Sequence, residues 1–107
     1  MNKQPDFIAK LDYFTTEQGG RRTPALSGYF PHVRFEFIPG LVGGKQKFLD
    51  KEIVYPGDTV TVEISLLITD PFKNKLKKDL EFKFSEGSQI IGNGTILEIL
   101  NDELLAK

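Results

Sequence analysis

Thr59-Val60-Thr61-Val62-Glu63-Ile64-Ser65-Leu66-Leu67-Ile68 is the stretch whose reading decides the fold. Val60, Val62, Ile64, Leu66 and Ile68 fall on one face, and Thr59, Thr61, Glu63 and Ser65 on the other. A period of two sustained this long predicts a half-buried β-strand. Immediately upstream, Tyr55-Pro56-Gly57-Asp58 fits a type II turn, with Pro second, Gly third and Asp58 capping it. Leu41 to Asp50 contains Gly43 and Gly44 and has weak periodicity, so it reads as a loop or a short edge strand. Pro39-Gly40 is a turn signal. His32 to Ile38 alternates, with Val33, Phe35 and Phe37 inward and His32, Arg34 and Glu36 outward. Near the start, Phe7, Ala9, Leu11 and Tyr13 share one face, while Ile8, Lys10 and Asp12 share the other.

Downstream of the deciding stretch, Thr69 to Asp79 reads as a solvated connection. Its Lys73, Lys75, Lys77 and Lys78 are interleaved with Asp70 and Asp79. Leu80, Phe82 and Phe84 alternate with Glu81, Lys83 and Ser85, and Glu86-Gly87-Ser88 is a tight turn. Gln89 to Ile91 begins a last pairing, which Gly92-Asn93-Gly94 is expected to break before Thr95 to Leu100 closes the pattern. Asn101 to Lys107 is a short polar tail with room for one helical turn. No long segment shows helical periodicity. About six short strands separated by turn signals argue an all-β sandwich or barrel. Closure into a barrel would remove edge strands, which invite aggregation. Glycines near strand ends suit the bends that closure needs. The expected inward set includes Val33, Phe35, Val60, Val62, Ile64, Leu66, Phe82 and Phe84.

Composition bounds the function. The 107 residues are expected to form one domain over 1–107, with a core over about 7–100 and the tail 101–107. At 39% hydrophobic and 27% charged residues, the chain resembles ordinary soluble proteins. Its net charge of −1 supplies no global field for nucleic acid, so any such binding needs a local patch. The absence of cysteine excludes disulfides and thiolate metal sites. A single histidine excludes a histidine cluster, so no metal or other cofactor is expected. Met1 to Asp6 lacks the apolar core of a signal peptide, and no apolar run reaches membrane-spanning length. A cytoplasmic location, away from membranes, is therefore expected.

Catalytic motifs do not assemble. Gly43-Gly44-Lys45-Gln46 lacks the Ser or Thr that follows the lysine of a phosphate loop, and Pro39 stands where its first glycine belongs. Gly92-Asn93-Gly94 is a fragment of a dinucleotide fingerprint, with Leu97 in place of the third glycine. Glu86 and Ile90 flank Gly87-Ser88 where a nucleophile elbow needs glycines. His32 lies outward on a strand, and the carboxylates are scattered. The chain is expected not to be an enzyme.

The densest run of special backbone chemistry is Glu17-Gln18-Gly19-Gly20-Arg21-Arg22-Thr23-Pro24-Ala25-Leu26-Ser27-Gly28-Tyr29-Phe30-Pro31. Its glycines permit positive φ and close backbone approach, while Pro24 and Pro31 fix φ. Two adjacent arginines suit forked contacts with phosphate or carboxylate. Taken alone, the run also fits a long barrel crossover whose arginines are solvated or pair with Glu17 or Glu36.

Tyr13 to Pro24 followed by Gly28-Tyr29-Phe30-Pro31 resembles the C-terminal (third) domain of elongation factor Tu. Val54-Tyr55-Pro56-Gly57-Asp58-Thr59-Val60 is similar to that domain's Pro-Gly-Asp turn. Phe82 to Gly87 and Ile91 to Leu97 are similar to its closing hairpin. The likeness runs in order from about Phe7 to Leu100. It implies a closed six-stranded antiparallel β-barrel of that type, in a stand-alone homologue. In the family this domain holds the acceptor and T-arm side of aminoacyl-tRNA, packs on the GTPase domain and contacts the exchange factor. The chain departs from the pattern in several places. Ser27, Phe30 and Gln89 stand where the family carries basic residues, and Ala25 and Leu26 replace aromatics. The 69–79 connection is long, the tail is additional, and no GTPase domain is present.

The resemblance implies a non-catalytic module that binds tRNA or another structured RNA through Gly20, Arg21, Arg22 and Thr23, with His32 as a secondary contact. The alternative is a protein-interaction module that docks on a separate GTPase or translation protein, or self-associates, with no RNA role.

Overall fold

A computed structural model describes residues 4–107; Met1 to Lys3, the start of the stretch read as lacking an apolar signal-peptide core, lie outside the described residues. The strands are β1 (Phe7–Tyr13), β2 (Ala25–Leu26), β3 (His32–Arg34), β4 (Val42–Phe48), β5 (Ile53–Val54), β6 (Thr59–Leu66), β7 (Glu81–Glu86) and β8 (Gln89–Ile99). Six of them close a barrel in the order β1-β6-β4-β3-β7-β8, and each neighbouring pair is antiparallel. β2 and β5 form a separate two-stranded ribbon. The protein is thus all-β, with two short 3-10 turns at Asp70–Phe72 and Asp102–Leu104. No helix among the described residues is long and apolar enough to cross a membrane.

The alternation of β6 puts Val60, Val62, Ile64 and Leu66 in the core, and β1 adds Phe7, Ala9, Leu11 and Tyr13. Val33, Phe35, Phe82 and Phe84 complete the expected inward set. Phe35 and Phe82 stack with ring centroids 4.9 Å apart, and Phe7 meets Phe82 edge-on at 5.7 Å.

Four expectations require correction. Ile68 is exposed, because β6 ends at Leu66, whose N–H donates to the Asp6 carboxylate at 2.7 Å. The chain then turns away, and Phe72 fills core space instead. Phe37 is also exposed: β3 stops at Arg34, and a turn closed by the Ile38 N–H on the Phe35 carbonyl sends Ile38 inward. Leu41 to Asp50 is neither loop nor edge, since β4 pairs with β6 on one side and β3 on the other. Its core-side positions include Gly44, where a Cβ would press on Val33 and Ile64, and Gln46, which accepts a hydrogen bond from the buried Tyr13 hydroxyl. Gly92-Asn93-Gly94 does not interrupt the last strand. β8 runs through it, and a Cβ at Gly92 or Gly94 would strike the Phe84 or Phe82 ring.

The connection expected to be solvated keeps its lysines exposed but buries Phe72 and Leu76 fully, and the tail buries Leu104. These two segments close one end of the barrel together. The Lys75 and Leu76 N–H groups donate to the Leu104 carbonyl at 3.0 and 2.8 Å, and the Ala106 N–H donates to the Leu76 carbonyl at 2.7 Å. Asp6 ties this plug to the barrel. Its carbonyl accepts from the Leu100 and Asn101 N–H groups, and its carboxylate accepts from the Asn101 side chain at 2.9 Å.

Candidate functional site

The arginine loop leaves β1 at Phe14 and is folded onto itself by short-range bonds. The Gly20 N–H donates to the Thr15 carbonyl at 2.9 Å, and the Thr16 hydroxyl donates to the Arg21 carbonyl at 2.7 Å. Gly19 has φ of +97°, the left-handed region that glycine enters without a Cβ penalty. At Gly20 the constraint is space, because a Cβ there would collide with the Phe14 carbonyl. The close approach expected in this pair is therefore intramolecular at Gly20, while a Cβ at Gly19 would meet nothing within 4 Å.

The loop is fastened to the β7–β8 hairpin. The Phe14 N–H donates to the Ile91 carbonyl at 2.9 Å, and the Gln89 amide donates to the Gly19 carbonyl at 2.7 Å. Arg21 makes the third fastening. Its Nη1 is ion-paired with Glu86, Nε donates to the Thr23 carbonyl at 3.2 Å, and Nη2 reaches the Thr23 hydroxyl at 3.1 Å and the Pro24 carbonyl at 3.3 Å. The guanidinium carbon lies 4.5 Å from the Tyr29 ring centroid, a cation–π distance. The Tyr29 hydroxyl also donates to Glu86. Arg21 thus pairs with Glu86, not with Glu17 or Glu36, and its side chain is only 18% exposed.

The expected RNA-contacting residues are therefore placed differently from one another. Gly20 is buried, and Thr23 serves Arg21. Arg22 is exposed and has no hydrogen bond or ion pair among the described residues. His32 is half-buried on β3, its backbone between Gly43 and Ser85, and its Nδ1 is buried without a hydrogen-bond partner. No hydrogen bond or ion pair joins His32 to either loop arginine among the described residues. Ser27, Phe30 and Gln89, where the resemblance implies basic residues, each have their own partners. The Ser27 hydroxyl accepts from the Phe48 N–H at 3.0 Å, Phe30 lays its ring over Gly43, and Gln89 holds the loop.

The ribbon that follows the loop carries a feature the sequence reading missed. Ala25 and Val54 point inward, so their neighbours point out. Leu26 lies directly opposite Ile53, and Tyr55 follows on the same side; their exposures are 61%, 40% and 54%. Two-residue strands are too short to show a period, and the only signal was the apolar triplet Ile53-Val54-Tyr55 before the turn. Lys51 and Asp58 stand 4.0 Å apart beside this face. An apolar centre with a charged rim is the anatomy of a protein interface.

Burial pushes the Tyr29 hydroxyl above the ordinary tyrosine range, and its bond to Glu86 adds to this; burial does the same for Tyr13. Both phenols thus hold their protons more tightly folded than unfolded, where tyrosine titrates near about 10. Their contribution is fully present below that pH and is lost as pH rises towards the folded-state values. Urea unfolding followed from pH 8 to 11 should show stability falling above about pH 10. Tyr29→Phe should shallow that fall, and an unchanged slope in this variant would refute the assignment. No protein-family model matches the chain.

Proposed function

We propose that this chain is a non-catalytic docking module, built on a barrel of the elongation factor Tu C-terminal-domain type. It binds a separate GTPase or translation protein through the ribbon face of Leu26, Ile53 and Tyr55. The observation that carries this reading is the contrast between the two surfaces. Arg21 spends its donors inside the molecule, whereas three adjacent large apolar side chains face solvent. Burying such a cluster is a principal source of affinity in protein association. One observation favours the RNA reading instead: Arg22 is an exposed cation with all its donors available. A single arginine neutralises few phosphates, so binding through it would be weak and salt-sensitive.

The test compares wild type with Leu26→Asp/Ile53→Asp and with Arg22→Ala, each checked for folding by circular dichroism. Docking predicts a stoichiometric protein partner retained by wild type and by Arg22→Ala but lost by the aspartate variant. It also predicts no tRNA binding by fluorescence anisotropy at low salt. Suppose instead that tRNA binds, with a log–log salt slope of about −0.7 to −0.9 per phosphate. If Arg22→Ala then abolishes that binding, the RNA reading replaces this one.

A further inference from the structure

A second surface lies over β3, β7 and β8 and shares no residue with the ribbon. It is an open groove of about 500 Å³. Arg34, Glu36, Glu81, Lys83 and Asn93 line it, with Phe35 and Phe82 buried behind them. Arg34 and Lys83 are direct cross-strand partners. Like charges placed opposite one another destabilise a sheet. Here neither cation is relieved by an acid. Arg34 donates to the Ser85 hydroxyl at 2.9 Å and the Gly87 carbonyl at 3.0 Å, and Lys83 donates to the Asn93 side chain at 3.2 Å. Glu36 and Glu81 sit two residues along the chain from these cations. Among the described residues, they make no ion pair or hydrogen bond. Two cations paired across one row, the Glu81 carboxylate two residues along β7, and Glu36 in the turn beyond β3 thus line one groove without neutralising each other.

The spacing identifies what can neutralise them. Successive outward positions on β7 are two residues apart, about 6.6–6.8 Å in extended chain. An extended peptide presents its own alternate side chains at the same interval. We infer that the groove binds an extended segment of a partner protein with an acidic and a basic residue at alternate positions. The acidic side chain lies between Arg34 and Lys83, and the basic one meets Glu81, the next outward position on β7. The guanidinium suits a carboxylate, and its neutral partners hold it in place without consuming its charge. This inference stands whether or not the ribbon face binds anything.

The probe is the acetylated, amidated peptide Thr-Glu-Thr-Lys-Thr, titrated into the 15N-labelled protein by NMR. The control is Thr-Glu-Lys-Thr-Thr, whose adjacent charges point to opposite faces when extended. The expected result is saturable shifts confined to residues 34–36, 81–83 and 93, weakened by 0.5 M NaCl, with the control at least tenfold weaker. Lys83→Glu, an exposed position, should abolish the shifts while leaving the rest of the spectrum in place. Glu81→Gln should weaken binding severalfold, which provides a milder variant should the reversal disturb folding. Equal binding of both peptides, no saturable shift, or full binding to a folded Lys83→Glu protein would overturn the inference. So would complete displacement by equimolar inorganic phosphate, which would make the groove a simple anion site.

Discussion

Leu104→Ala is expected to destabilise the barrel by about 3 kcal/mol, within the range of about 2–5 for a buried leucine truncated to alanine. Leu104 is fully buried although it lies in a tail with charged neighbours at Asp102 and Glu103. It shares the closed end of the barrel with Phe72 and Leu76, both also fully buried. The surroundings cannot easily collapse into the space it would leave. Its carbonyl is held by the Lys75 and Leu76 N–H groups, and the Asn101 side chain that caps its turn is bonded to Asp6. Much of the cavity cost should therefore be felt. A loss of this size is a large share of the roughly 5–15 kcal/mol that holds a domain of this kind together. Urea unfolding at constant m-value is the measurement. Leu105→Ala is the control, since Leu105 is 43% exposed and should change stability by less than about 0.5 kcal/mol. If Leu104→Ala proved as silent as Leu105→Ala, the tail would not be part of the core.

The plug also shows where sequence reading loses its hold. β1, β6 and β7 are legible because each has one apolar and one polar face, and alternation follows directly from that asymmetry. β4 has the same geometry but conceals it. Gly44 and Gln46 occupy core-side positions, so the apolar period vanishes where neighbouring side chains and the Tyr13 hydroxyl supply the missing volume and polarity. Phe72, Leu76 and Leu104 follow no period, and four lysines surround the first two. Their burial is decided by tertiary packing between segments about thirty residues apart, which no local window contains. The candidate site divides in the same way. The need for glycine at 19 and 20 is a local matter and could be read. The partner of Arg21 could not, because Glu86 lies 65 residues further on. A search for nearby acids finds Glu17 and Glu36 instead.

That partner makes the two loop arginines unequal. Arg21→Ala is expected to cost about 2 kcal/mol and Arg22→Ala less than about 0.5 kcal/mol, although the two are adjacent in the chain. Arg21 joins Glu86, Thr23 and Pro24 and covers the face of Tyr29, so its removal loosens the loop from the hairpin. The Glu86 side chain is 41% exposed and can hydrate once freed, which keeps the loss from reaching that of a buried charge. Arg21→Lys should recover little. One ammonium cannot reach the Glu86 carboxylate and the Thr23 and Pro24 acceptors together, nor can it lie flat over the Tyr29 ring. Because Arg22 has no partner among the described residues, the double alanine variant should equal the sum of the two single changes. Urea unfolding of the four variants decides the matter. A silent Arg21→Ala, a costly Arg22→Ala, or full recovery by lysine would each show that the guanidinium is not the fastening. The asymmetry also governs any RNA experiment on this loop. Loss of binding in a variant lacking Arg21 reports a loosened loop as readily as a lost phosphate contact, so only Arg22→Ala can separate recognition from structure.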